Sequence, residues 1–328
     1  MFWPSEPPIC SAAPSRPALP PVEGIERALT SDDLLREPRP LDSLLILGGG
    51  VIGVEMAAFY AATGTKVTIV EAQERLLPQM DREISQNLQM IFKRQGLGVR
   101  TRTLARRIVE GGEGVVMELD GGETLTASAV LAAVGRRPNT DGLWAPGVAL
   151  EMDRAFIRVN ERFETSLPGV YAIGDAIGGM MLAHAASAQG LTVVHAIAGE
   201  EAPLCLDAIP ACVYVSPEIA CVGLTQADCQ QRGIEAKVGK ALMGANGRTL
   251  IANGQRGFIK VVVDAQDGRV LGAQLMCERA TDMIDSFTVA IANGMTAKQL
   301  MRAVRPHPTF LEAVGEALDA LEGRAIHA

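Results

Sequence analysis

Between residues 41 and 160 the apolar positions fall into two alternating patterns. Runs at 44–47, 67–70 and 129–134, interrupted only by Thr68, have the length and composition of strands buried on both faces. Between them lie segments with apolar residues at helical spacing: 54–62, and 81–95, where Ile84, Leu88, Ile91 and Phe92 share one face. Shorter strand-like runs occur at 99–101, 105–110 and 115–119, the last two joined by Gly111-Gly112-Glu113-Gly114. Alternating strands and helices predict a doubly wound α/β nucleotide-binding domain over 41–160.

A strand at 169–175 that ends in an acid, followed by a helix at 182–198, marks a further segment over 161–206. From 207 the pattern changes. Strand-like runs at 211–214, 220–222, 258–263 and 270–275, with a hairpin turn at Asp267-Gly268, precede helical stretches at 281–293, 296–301 and 309–321. They predict an antiparallel α+β domain over 207–328. Thr225-x-x-Asp228 and Thr296-x-x-Gln299 carry N-terminal capping signatures. Half of the 18 prolines fall in the first 40 residues, which predicts an extended connector over 1–40.

The run at 44–47 leads into Gly48-Gly49-Gly50-Val51-Ile52-Gly53. A G-x-G-x-x-G turn between strand and helix, followed by a second strand ending in an acid, is the arrangement that holds a dinucleotide. Gly48 permits the tight turn, Gly50 lets backbone approach a pyrophosphate, and Gly53 lets the helix pack closely. The helix N-terminus then presents free N–H groups and positive potential to the phosphates. Glu71, at the end of the second strand, can accept from a ribose diol and repels a 2′-phosphate. NAD is therefore expected over NADP, with Arg75 near enough to weaken the preference.

Composition removes several alternatives. Hydrophobic residues make up 48% and charged residues 21%, a globular balance, and 328 residues suffice for about two domains. A net charge of −8 argues against nucleic acid or an anionic membrane as partner. No apolar run reaches a membrane span, and the first eight residues lack the basic and apolar regions of a signal peptide, so a cytoplasmic protein is expected. Six cysteines form no C-x-x-C or C-x-x-x-x-C pair, and with four scattered histidines no metal site is expected.

Five motifs, in order, give the chain a resemblance to the flavoprotein pyridine nucleotide–disulfide oxidoreductases, most of all to the dihydrolipoamide dehydrogenases. They are 47–55, 133–139 (Ala-Val-Gly-Arg-Arg-Pro-Asn), 170–175 (Val-Tyr-Ala-Ile-Gly-Asp), 181–184 (Met-Leu-Ala-His) and 307–312 (His-Pro-Thr-Phe-Leu-Glu). The resemblance implies an FAD domain, an inserted NAD domain and a C-terminal dimerisation domain. It implies electron transfer among NADH, flavin and a disulfide, with a lipoyl-bearing protein as substrate and a homodimer as the working form. By resemblance, Gly48, Gly49, Gly50, Val51, Ile52, Gly53 and Glu71 hold NAD, and the stretch through Gly135 and Arg136 closes over it. Asp175 binds the ribityl or phosphate region of the flavin, and Met181, Leu182, Ala183 and His184 place a helix N-terminus near its ring. Glu55 resembles a glutamate that faces a flavin-side lysine. His307 is the acid/base for thiol protons, oriented by Glu312.

The family's opening strand–G-x-G-x-x-G–helix for FAD and its redox cysteine pair do not occur in these 328 residues, nor does the lysine opposite Glu55. A complementary chain or a longer parent is one expectation. The alternatives are an NAD-binding, dimer-forming remnant without redox activity, or a related disulfide reductase. Some sites also carry plainer readings. His307 between two prolines can be a surface turn, Thr309-x-x-Glu312 a capping box, and Asp175 a strand-end acid that caps the next helix.

Overall fold

The structure, a computed structural model, describes residues 9–11, 15–112, 114–144, 147–254 and 256–327. The Gly111–Gly114 turn therefore contains one residue, Glu113, outside the described residues. The chain divides into two compact units, Met1–Ala18 with Gly135–Leu206, and Leu19–Val134 with Asp207–Ala328.

The larger unit begins with a five-stranded parallel sheet in the order Leu29–Thr30, Ala129–Ala132, Ser43–Leu47, Lys66–Val70, Gly98–Arg100. Its central strands are mostly apolar because both faces are covered, with Ser43, Lys66 and Thr68 as the polar positions. Leu44 and Ile46 enter one buried cluster with the helices, whereas Leu45 and Leu47 enter another beneath a three-stranded meander, Ala105–Gly111, Gly114–Leu119 and Thr124–Ala127. Val51–Ala62 buries Gly53, Val54, Ala57 and Tyr60, and Arg82–Arg94 buries the four residues expected at helical spacing together with Ser85. Asp81 caps the second helix, accepting from the Glu83 N–H at 2.8 Å.

The segment expected to be an extended connector also carries structure. Leu29–Thr30 is the edge strand of the sheet, and Ser31–Arg36 is a helix closed by a Thr30/Asp33 capping box. No proline falls between Pro21 and Pro38, so nothing there prevents a turn of helix.

The C-terminal part of the same unit is a five-stranded antiparallel sheet in the order Ala211–Val213, Ile219–Gly223, Val270–Met276, Phe258–Asp264, Ala236–Leu242. One face packs on Asp285–Ala292 and Glu312–Ala320; from the other, Val213, Ile219, Phe258 and Met276 join the apolar cluster of the nucleotide domain. On that second face Lys260 donates to both oxygens of Asp81 at 3.0 and 3.1 Å. It also lies 2.9 Å from Glu83, which pairs with Lys240 as well. Ala236–Leu242 was not legible in the sequence. Its centre is Gly239, where the Ala317 carbonyl approaches so closely that a Cβ would sit 2.0 Å from the oxygen.

The smaller unit pairs Val170–Ala172 in parallel with Ile9–Ser11, and Arg136–Pro138 antiparallel with Ser15–Pro17. Residues 135–160, read from sequence as nucleotide domain, lie in this unit. A short 3-10 turn, Gly174–Ile177, follows Val170–Ala172, and Ala183–Ala198 is its long helix.

Candidate functional site

The glycine turn sits at the carboxyl end of the central strand, where open α/β sheets receive their ligands. Gly48 has φ 109, and a Cβ there would lie 2.4 Å from the Ala133 carbonyl oxygen. A Cβ on Gly53 would lie 2.0 Å from the Gly48 oxygen, and one on Gly49 2.5 Å from a Leu76 methyl. Close backbone oxygens therefore require glycine at positions 48 and 53, whereas at 49 a Cβ would meet side-chain atoms. Gly50 differs: its φ of −74 and ψ of −173 suit any residue, and a Cβ would meet nothing within 4 Å. Bare backbone faces open space there, beside the first turn of Val51–Ala62, which has no side-chain cap. Uncapped N–H groups and an unobstructed approach together make an anion cradle.

Glu71 lies against this turn and is 7% exposed. Its carboxylate accepts from the Gly49 N–H at 2.5 Å and from the Gln73 N–H at 2.7 Å. The acid expected to face a ribose thus also holds the turn itself. Arg75 donates to the Pro78 carbonyl at 2.6 Å and is drawn into its own loop.

Gly135 and Arg136 belong to the smaller unit, with Asp175. Arg136 donates through Nε to Ser15 Oγ and through a terminal nitrogen to the Ser15 carbonyl, both at 2.6 Å. Ser15 Oγ in turn donates to Asp175. Arg136 and Asp175 are thereby joined through Ser15, a residue not singled out in the sequence. Leu182 is the N-cap of Ala183–Ala198 and supplies no capping side chain, and His184 lies exposed on the first turn.

His307 and Glu312 meet, Nδ1 to Oε1 at 2.8 Å. The other Glu312 oxygen accepts from the Thr309 N–H at 2.9 Å, while the Thr309 hydroxyl donates back to the Pro306 carbonyl at 2.8 Å. The expected capping box is therefore half made: Glu312 reaches Thr309, but the hydroxyl points elsewhere and the helix starts at Glu312. The Thr309 N–H first, and His307 second, hold the Glu312 carboxyl below its usual range. A carboxylate at Nδ1 favours the tautomer with the proton there, leaving Nε2 as the acceptor on a side chain that is 77% exposed.

Glu55 accepts from the Tyr214 N–H at 2.8 Å. Burial pushes its carboxyl up, and the N–H offsets part of that. Burial also raises the thiols, Cys221 to about 11 and Cys277 to about 12, with Cys212 and Cys229 raised too. Among the described residues no group of three or more metal-ligating side chains forms, and no helix is long and apolar enough to cross a membrane.

The profile of the pyridine nucleotide-disulphide oxidoreductases matches residues 10–190, and that of their dimerisation domain residues 209–318. The dihydrolipoyl dehydrogenase of Chlorobaculum tepidum is 40% identical over 311 residues, covering 92% of this chain and 66% of that protein. A dihydrolipoyl dehydrogenase of Bacillus subtilis is 38% identical over 322 residues, covering 96% and 68%. Among solved structures, LpdA of Mycobacterium tuberculosis superimposes with a TM-score of 0.88 at 28% identity, over 95% of this chain and 69% of its own. RclA of Escherichia coli, an HOCl-induced flavoprotein disulfide reductase, gives 0.88 at 28% identity, over 95% and 73%. The chain spans about two thirds of the length of the curated relatives it matches. Profile, sequence and backbone agree on one conclusion: the chain belongs to the pyridine nucleotide-disulphide oxidoreductase family.

Proposed function

We propose that the chain acts as a dihydrolipoyl dehydrogenase-like oxidoreductase, NAD-linked and FAD-dependent, exchanging electrons between a nicotinamide coenzyme and a dithiol/disulfide. The observation that carries this reading is Gly50. Nothing in the protein needs that position bare, and a pyrophosphate does. Gly48 to Gly53 and Glu71 bind the coenzyme, with the first-turn N–H groups on its phosphates and the carboxylate on the adenine ribose. When bound, the flavin supplies the ring through which a hydride passes. The set made by Asp175 and the uncapped first turn of Ala183–Ala198 fits the ribityl and ring end of that group. Gly135 and Arg136 act on the same side, through Ser15. His307, with Glu312 fixing its ring, takes and returns the thiol proton at Nε2.

Homodimerisation through 209–318 and a lipoyl-bearing protein as substrate belong to this reading, as does a cytoplasmic setting. No C-x-x-x-x-C pair that could serve as the dithiol occurs within these 328 residues. A second reading, an NAD-binding, dimer-forming remnant, is favoured by the thiols: burial raises Cys212, Cys221, Cys229 and Cys277 above the ordinary thiol value, which disfavours the reactive thiolate. Calorimetry with NADH tests what both share, and no heat of binding from a folded sample would end both. The visible spectrum with added FAD separates them. A bound flavin bleached by NADH supports the oxidoreductase, and a colourless protein that still binds NADH supports the remnant.

A further inference from the structure

Segment 71–77 grips the glycine turn at both ends of one residue. The Gly49 N–H donates to Glu71 Oε2 at 2.5 Å, and the Gly49 carbonyl accepts from the Leu77 N–H at 2.8 Å. Glu71 Oε1 accepts from the Gln73 N–H at 2.7 Å. The base of this side chain is fixed as well, because the Glu71 N–H donates to Arg100 and the Glu71 carbonyl accepts from Thr103, at 2.8 and 3.0 Å. The contact is tight enough that a Cβ on Gly49 would come within 3.1 Å of Glu71 Oε2. The nearby Arg75 guanidinium is directed at Pro78. Two backbone donors thus hold the buried carboxylate, one on each oxygen.

We propose that Glu71 is a positioning residue for the glycine turn as well as a ribose acceptor, holding Gly49 and Gln73 in the ligand-ready geometry before any coenzyme arrives. The proposal rests on the nucleotide reading above for its consequence, though not for its geometry. A carboxylate presents an acceptor at both oxygens. A glutamine presents one acceptor and one NH2, which would face a backbone N–H. An arginine removes both acceptors while adding the charge that a 2′-phosphate would use. Coenzyme preference at position 71 is therefore not separable from the shape of the turn.

The test is amide hydrogen exchange on the full chain without nucleotide, comparing wild type with Glu71→Gln and Glu71→Asp. The expected result for Glu71→Gln is exchange about tenfold faster or more at Gly49 and Gln73, with the Ser43–Leu47 amides unchanged. The shorter Glu71→Asp, which keeps the charge, is expected to fall between. Wild-type protection of Gly49 and Gln73 in both variants would overturn the proposal. Coenzyme titration gives a second reading, since Glu71→Arg is expected to bind both NADH and NADPH about tenfold or more weaker than wild type binds NADH. A clean switch to NADPH at wild-type strength would also overturn it. If wild type binds no NADH but Glu71→Gln still frees the two amides, the nucleotide reading fails and the positioning role stands.

Discussion

At Gly53 a methyl group would lie 2.0 Å from the Gly48 oxygen, whereas at Gly50 it would meet nothing within 4 Å. The two substitutions should therefore fail in different assays. Gly53→Ala is expected to lower stability by about 1–3 kcal/mol in denaturant unfolding, the usual cost of overpacking. Gly50→Ala should leave stability within about 0.5 kcal/mol yet weaken NADH binding about tenfold in calorimetry. Two carboxylates give an opposed pair. Glu55 is raised on folding, chiefly by burial. Such a group contributes full stability below the unfolded glutamate value, about 4.3, and loses it as pH rises through its folded value. Glu312 is lowered, first by the Thr309 N–H, so its contribution is present above that value and lost in acid. Melting curves across pH should show Glu55→Gln more stable than wild type at pH 7, Glu312→Gln less stable, and both gaps closing below about pH 4. Equal signs at pH 7 would refute this assignment. The position of Glu71 was legible in the sequence from its place at a strand end. Its bonds to Gly49 and Gln73 were not, because they depend on how the following loop folds back.

Elements governed by local rules were read directly. The capping boxes at Thr225/Asp228 and Thr296/Gln299 are both present, since each needs only residues three apart. The box at Thr309 failed because the hydroxyl found the Pro306 carbonyl instead. Arg82–Arg94 declared itself through its apolar stripe, but its charged N-terminal turn gave no hint that Lys260 and Lys240 would meet it from the C-terminal sheet. Lys260 is the consequential partner, with a side chain 9% exposed against 10% for Asp81. Removing it leaves the buried Asp81 carboxylate without its cation, while Glu83 keeps Lys240, so Lys260→Met should cost about 3 kcal/mol or more in denaturant unfolding. Lys240, 36% exposed, should cost under about 1 kcal/mol when changed in the same way. Equal effects would mean that burial does not set the strength of this cluster.

On the scale of the whole molecule the two units differ in what they bury. The larger has full apolar clusters on both faces of a five-stranded parallel sheet. The smaller has two-stranded pairs and a buried cluster of Ile157, Ala172 and Ala176, and its long helix buries only Ala185 and Val193. Backbone with little covering it opens readily. Hydrogen exchange should find residues 163–199 markedly less protected than 44–132, and equal protection would count against the burial argument. The residues that close each unit come from distant parts of the chain, so sequence-local reading put the nucleotide-domain boundary at 160. In the structure Gly135 onward joins Ser15–Pro17.

What the sequence determined by itself is what short-range physics controls: period-two and period-3.6 burial, the glycine spacing that shapes one turn, and the acid three residues from its cap. Those sufficed for a doubly wound nucleotide domain, an α+β C-terminal domain and the glycine turn. Only the tertiary structure decided which donor each buried carboxylate accepts from, that Arg136 reaches Asp175 through Ser15, and that Lys260 ties sheet to helix. Hydrogen bonds and ion pairs act over about 3 Å, and residues far apart in the chain come within that range only once the apolar faces have packed.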